Sequence, residues 1–175
     1  MSVLSESEFW ELVTAEDKTA EPESVCNALK AKLTDLSDQQ LMEFDKQFNL
    51  RMRKAYTWDL FGAAYVMAGC NDDYGFSEFL CWLISRGEQA FLKALENPDS
   101  IAECTPVYHL NEQPYPYLDE YDLIAGMLYE ERNDDELPFV PSGLEQPKGK
   151  RFKDKAKFLK QTYPNLYAKY WQQPS

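Results

Sequence analysis

Three aspartates come closest to forming a catalytic or cation-binding group. Asp59 follows a tryptophan, and Asp72 and Asp73 are adjacent in the polar segment 70–75. Neighbouring carboxylates can bind a cation or act as a general base. Asp72 or Asp73 can also cap the helix predicted after them, because free N–H groups and the helix dipole favour a carboxylate at that position. Adjacent aspartates before a helix are common, so we expect the capping role.

The spacing separates Asp59 from this pair. The apolar run from Trp58 to Gly69 predicts a helix about 16 Å long, at 1.5 Å per residue, with Asp59 at the end remote from Asp72. The only histidine, His109, has no Ser or Cys nucleophile motif near it. We find no metal-ligand spacing, phosphate-binding loop or hydrolase motif. We therefore predict no catalytic residue, no bound metal and no cofactor.

Charge is the strongest feature of the composition. The formal net charge is −12, yet residues 148–175 hold eight Lys and Arg against one acid, Asp154. A compact acidic group opposed only by Arg132 lies further upstream, and we call it the acidic cluster: Glu130, Glu131, Asp134, Asp135 and Glu136. Such a cluster can steer a basic protein towards itself. A solvated face of an acidic protein has the same composition, so this alternative stays open.

The sequence also gives information on the cellular compartment of the protein. The opening residues are acidic and lack the basic and apolar regions of a signal peptide. The longest strongly apolar stretch, Phe61 to Cys70, is much shorter than the roughly 20 residues of a membrane span. Four cysteines form no CxxC pair and are expected to be reduced thiols: Cys26, Cys70, Cys81 and Cys104. We expect a cytoplasmic protein with no membrane partner.

Helical periodicity dominates the chain. Ser5 with Glu8 and Ser37 with Gln40 have the spacing of capping boxes. Apolar spacing predicts helices near residues 5–13, 25–34, 38–52, 58–69, 76–95 with a break at Gly87, 118–131, 152–159 and 163–171. We predict a mainly α, single-domain multi-helix bundle over residues 1–175, with an irregular, Pro-rich C-terminal third. The predicted core of the central hairpin is Trp58, Phe61, Tyr65, Phe79 and Leu83.

Several short motifs follow one another along the first two thirds of the chain. They are Phe9-Trp10, the segment 41–48, Trp58-Asp59-Leu60, Cys70-Asn71-Asp72-Asp73, Trp82-Leu83-Ile84-Ser85 with Gly87, and Pro98-Asp99-Ser100. In this order they resemble a bacterial family known as domain of unknown function 4240. The resemblance covers about residues 5–140 and leaves 148–175 as a basic extension. Leu80 stands where the family has an arginine, and Tyr74 is inserted in the turn after Asp73. The resemblance implies a helical domain and no particular reaction.

We predict a non-enzymatic protein-binding domain, most consistent with an immunity-type protein that neutralises a bacterial toxin. The acidic composition, the lack of a catalytic group and the many tyrosines after Thr105 favour this function, since tyrosine is enriched at interfaces. The expected partner is a basic, toxin-like protein that contacts the acidic cluster. One alternative is an enzyme or metal-binding protein that uses Asp59, Asp72 and Asp73. Another is a nucleic-acid accessory domain that uses the basic extension, although the acidic bulk disfavours nucleic acid.

Overall fold

The computed structural model describes residues 3–137 and 146–171, and these residues are mainly helical. The α-helices are α1 (Glu6–Val13), α2 (Pro22–Leu33), α3 (Asp38–Ala55), α4 (Trp58–Ala68), α5 (Asp73–Ser85), α6 (Glu88–Glu96), α7 (Ile124–Asn133), α8 (Ala156–Thr162) and α9 (Pro164–Tyr170). Short 3-10 helices span Pro98–Glu103 and Tyr121–Leu123. The mainly α prediction is therefore confirmed.

Both predicted capping boxes form. Ser5 Oγ accepts the Glu8 N–H while Glu8 Oε1 accepts the Ser5 N–H, each at 3.1 Å. Ser37 and Gln40 make the same reciprocal pair at the start of α3, at 2.9 and 3.1 Å. These bonds satisfy N–H groups that a helix start leaves without partners. The local sequence therefore sets where α1 and α3 begin.

Helix α4 lies at the centre of the fold. It is apolar on nearly all sides, and Gly69 ends it in the left-handed conformation, with φ of 72°. Phe79 and Leu83 of α5 are fully buried and Phe61 is 6% exposed, as predicted for the core. Trp58 and Tyr65 are only partly buried and pack against that core. Each of them contacts the ring of Phe152, which belongs to the basic extension.

The segment between the 98–103 helix and α7 is irregular. Its only strands within the described part of the chain are β1 (His109–Leu110) and β2 (Gln113–Pro114), a short antiparallel hairpin that the sequence did not predict. The helix predicted from residue 118 begins later, because Glu120 has a positive φ of 61° that interrupts helical geometry. The prolines and glycines of residues 137–149 predict an extended or loop segment. Residue 137 and residues 146–149 are not helical, as predicted, and residues 138–145 lie outside the described part of the chain.

The basic extension forms two short helices that pack on the family-like region. Helix α8 begins at Ala156 instead of the predicted Phe152, whereas α9 begins at Pro164 as predicted. Leu159, Tyr163 and Leu166 are buried in the same core cluster as α4 and α5. The extension is therefore an integral layer of the fold.

A buried carboxylate connects this layer to the 98–103 helix. Asp99 is 5% exposed, and its Oδ1 accepts the Leu166 N–H at 2.9 Å. Its Oδ2 accepts the Asn165 backbone N–H at 3.1 Å and the Asn165 Nδ2 at 2.7 Å. These bonds satisfy donors at the start of α9. Tyr163 Oη adds a bond to the Asp59 carbonyl at 2.7 Å.

Candidate functional site

Asp72 is the N-cap of α5. Its Oδ1 accepts the Gly75 N–H at 2.6 Å, and its backbone is extended, as is typical of a cap. The side chain is exposed. The geometry therefore gives Asp72 the structural role that the sequence favoured.

Asp59 lies apart from the adjacent pair Asp72 and Asp73. Asp59 lies in the first turn of α4, and that helix separates it from Asp72 by about 14 Å at 1.5 Å per residue. Asp73 Oδ1 accepts the Tyr56 hydroxyl at 3.5 Å. Burial, followed by the Asp73 charge, raises the pKa of Tyr56. Within the described part of the chain, no group of three His, Cys, Asp or Glu side chains could hold a metal ion.

The acidic cluster is exposed at the C-terminal end of α7. All five of its side chains lie on the surface, and Asp134 ends the helix with φ of 52°. The adjacent cation, Arg132, is directed elsewhere: its Nη1 and Nη2 donate to the Leu36 and Thr34 carbonyls at 2.6 and 2.5 Å. Arg132 also pairs with Asp38 at 3.5 Å. It therefore joins α7 to the end of α2, and within the described part of the chain no cation forms an ion pair with the acidic cluster.

The exposed face of α7 continues from this cluster with apolar side chains. Leu123 is 53% exposed and Met127 is 43% exposed, while Ile124 and Leu128 face the core. Leu123 directly precedes α7, and Met127 and Glu130 follow it at intervals of four and three residues along one side of the helix. We call this side, together with the acidic cluster, the α7 face. It combines exposed apolar contacts with unpaired carboxylates.

A second acidic group lies near the start of α7 and consists of Asp45, Glu78, Asp119 and Asp122. Helical periodicity in the sequence predicts that Asp45 faces solvent on α3. In the structure Asp45 is half-buried, and burial together with the Asp122 charge raises its pKa to about 6. Burial, then Asp119 and other acids, raises the pKa of Glu78. These side chains are far apart in sequence, so only the packing of α3 and α5 against the 121–123 helix and the loop before it brings them together.

The remaining nucleophile and base candidates have no catalytic surroundings. His109 is exposed, and its Nδ1 lies 2.8 Å from the Val107 carbonyl. Burial raises the pKa of Cys26 and Cys70 to about 11 and also raises that of Cys81 and Cys104. Such thiols are protonated at neutral pH and are poor nucleophiles.

The basic side chains of the extension all face solvent. Lys148 to Lys160 contribute seven of them, and Lys169 contributes the eighth. Within the described residues, none of these eight side chains forms an ion pair with an acid, so the extension is held by its apolar side chains and by Asp99. Phe152, for example, packs against the rings of Trp58 and Tyr65.

The chain matches the model of a family described as "Protein of unknown function (DUF4240)" over residues 4–131. Because the match includes most of the sequence, the chain belongs to this family. No match was found among curated proteins or among solved structures. The matched region contains α1 to α7 except the last residues of α7, so α8 and α9 lie beyond it. Helices long and apolar enough to cross a bilayer are absent from the described residues.

Proposed function

We propose that this protein binds a basic protein partner through the α7 face and acts as an immunity-type protein that neutralises a toxin. The observation that carries the proposal is the position of Arg132. Its guanidinium is bound to the end of α2, and among the described residues none of the five acids beside it forms an ion pair, so they are accessible to an incoming partner. Unpaired surface charge of one sign steers association with the opposite charge.

The exposed apolar side chains support docking at the same place. Leu123 and Met127 provide contact area beside the charges, and methionine is enriched at interfaces. A mixed face of this kind permits fast electrostatic encounter followed by apolar burial. The proposal includes a bacterial cytoplasmic location, which is consistent with the four free thiols.

The test compares two triple variants with the same change in net charge. E130K/E131K/E136K reverses the acidic cluster and avoids Asp134, whose backbone is left-handed. E11K/E23K/E96K is the control, since these three acids are exposed and lie on α1, α2 and α6. Wild type and both variants are used to capture binding proteins from the host. The captured partner is then purified for binding measurements. It is also expressed in cells, either alone or together with wild type or one of the two variants.

We expect the partner to be basic and toxic when expressed alone, with growth restored by wild type and by the control. The cluster reversal should fail to restore growth and should slow association about tenfold or more at low salt. All three proteins should melt at similar temperatures, because exposed charges contribute little to folding. Equal binding by both variants would contradict the proposal.

Nucleic-acid contact is the second candidate, because the seven basic side chains of residues 148–160 are exposed and unpaired. Phosphate neutralisation by such a strip gives a binding constant that falls steeply with salt. The excess of acids elsewhere opposes this function. A gel-shift measurement with the cluster-reversed variant separates the two, because loss of acids should strengthen nucleic-acid binding while it weakens binding of a basic protein.

A further inference from the structure

A small cavity near the start of α6 has an excess of positive charge. Its volume is about 220 Å³, and it lies between α6, the loop after α1 and the end of the 98–103 helix. Three of its lining residues are cations, Lys18, Arg86 and Lys93, and one is an acid, Glu103. Glu103 forms an ion pair with Lys93 at 3.4 Å, which leaves the charges of Lys18 and Arg86 in excess. Burial raises the pKa of the neighbouring Cys104 thiol, which is therefore neutral. The cavity is thus positive in a protein whose net charge is −12.

Arg86 is buried and held in one orientation. It is 7% exposed, and its guanidinium lies 5.2 Å from the centroid of the Trp82 ring. Its Nε and Nη2 donate to Ser85 Oγ at 3.3 and 3.2 Å, and its Nη1 donates to the Lys18 carbonyl at 3.2 Å. A guanidinium has five N–H donors, and three of those of Arg86 are used in these bonds. One N–H group on Nη1 and one on Nη2 are therefore left to donate to a ligand.

The charge of Arg86 has no anionic partner in the described residues. No ion pair among them includes Arg86, and burial lowers its pKa. A buried cation without a counter-ion is costly, because its hydration is lost and not replaced. Serine and a carbonyl oxygen satisfy hydrogen bonds but do not neutralise the charge. An anion in the cavity would offset this cost.

Helix α6 begins beside Arg86 without a side-chain cap. Its N-cap is Gly87, with φ of 107°, and no side chain accepts its first N–H groups. Gln89 and Ala90, in its first turn, both line the cavity. Helix N-termini attract anions through these N–H groups and through the dipole. The hydroxyls of Ser100 and Thr105 line the same cavity and can donate as well.

We propose that this cavity binds a phosphate group, either as free phosphate or as part of a small phosphorylated metabolite. Arginine matches the oxygens of phosphate with its forked donors, and the start of a helix supplies further N–H groups. The small volume suits one such group with few additional atoms. None of the lining residues belongs to α7, so this site is separate from the proposed protein-binding face.

Isothermal titration calorimetry in phosphate-free buffer tests the site with inorganic phosphate at constant ionic strength. Glycerol 3-phosphate forms a second arm and acetate a third. The main variant is K18Q/K93Q, which removes two cations without changing a fully buried residue. K30Q/K46Q removes two exposed lysines of α2 and α3 and is the charge-matched control. R86K keeps the charge and removes the forked donors.

We expect saturable one-to-one phosphate binding to wild type and to K30Q/K46Q with the same affinity. The affinity of K18Q/K93Q for phosphate should be at least about tenfold lower than that of wild type, because charged hydrogen bonds to the anion are lost. R86K should also bind more weakly, and K18Q/K93Q carries the test if R86K does not fold. Tighter binding of glycerol 3-phosphate would identify a metabolite as the source, and tighter binding of inorganic phosphate would identify the free ion. No saturable binding, equal loss in K30Q/K46Q, or equal affinity for acetate would overturn the proposal.

Discussion

Two aspartates show how the same side chain acquires different properties in different surroundings. Asp72 is exposed, and its carboxylate accepts the Gly75 N–H, which stabilises its position at the start of α5. Asp45 is half-buried and accepts a bond only from Asn49 Nδ2, at 3.2 Å, among the bonds of the described residues. Burial and the nearby Asp122 charge raise the pKa of Asp45 to about 6. Asp72 therefore stabilises local structure, whereas the charge of Asp45 opposes folding.

Asp45→Asn should increase the free energy of unfolding above pH 6. The pKa of Asp45 is about 6 in the folded protein, whereas the unfolded chain releases this proton near the ordinary aspartate pKa of 3.8. The titration of Asp45 therefore lowers the free energy of unfolding of the wild type as the pH rises from about 4 to 6. Because Asp45 keeps part of its solvent contact, we expect a gain of about 1 kcal/mol at pH 7 after allowing for screening.

Urea denaturation at several pH values measures this effect. The curves of wild type and Asp45→Asn should converge below pH 4 and separate as the pH rises to 6. Asp35→Asn, at an exposed position before α3, is the matched control and should follow wild type. A constant difference between wild type and Asp45→Asn over the whole range would contradict the titration of Asp45 as its cause.

At the scale of elements, close packing of the extension on α4 requires a residue without a side chain at position 62, which is Gly62. A Cβ atom at this position would lie 2.3 Å from Tyr163 Oη and 3.1 Å from a ring carbon of Phe152. Tyr163 cannot easily move, since it is 1% exposed and its hydroxyl donates to the Asp59 carbonyl at 2.7 Å. The missing side chain at Gly62 is thus required for close contact between α4 and the extension.

Gly62→Ala should destabilise the protein by about 1–2 kcal/mol, because overpacking outweighs the better helix propensity of alanine. Gly126→Ala in α7 is the control, since its Cβ would meet only a carbon of Leu137 at 3.6 Å. It should stabilise by up to about 1 kcal/mol. Urea denaturation measures both, and trypsin should cut the extension faster in Gly62→Ala alone. Equal effects of the two substitutions would show that helix propensity, not the contact with Tyr163, determines the result.

Elements with local signals could be predicted from the sequence, and contacts between distant segments could not. Ser5, Ser37 and Gly69 mark helix ends through bonds within a few residues, and the structure confirms all three. The sequence shows Asp99 only as part of the motif Pro98-Asp99-Ser100, because its bonds to the start of α9 span 66 residues or more. The placement of Arg86 beside Lys18, 68 residues away, is also a property of packing alone.

At the scale of the whole molecule, charge is divided between two surfaces. The extension carries eight exposed basic side chains, while the α7 face carries five unpaired acids. The extension cannot simply be deleted to test its role, because Tyr163 and Leu166 belong to the core and their removal would expose α4. Neutralisation of its exposed lysines changes the charge and leaves this packing intact.

The variant K150Q/K157Q/K160Q should associate with the basic partner as fast as wild type, or faster at low salt. These lysines are exposed and the partner carries charge of the same sign, so their removal lessens repulsion. The free energy of unfolding should change by less than about 0.5 kcal/mol, as for most surface substitutions. Stopped-flow measurements at two salt concentrations, beside E130K/E131K/E136K, give the comparison. If neutralised lysines slow association while the reversed cluster does not, the partner binds the extension, and a log–log salt slope for nucleic acid becomes the decisive measurement.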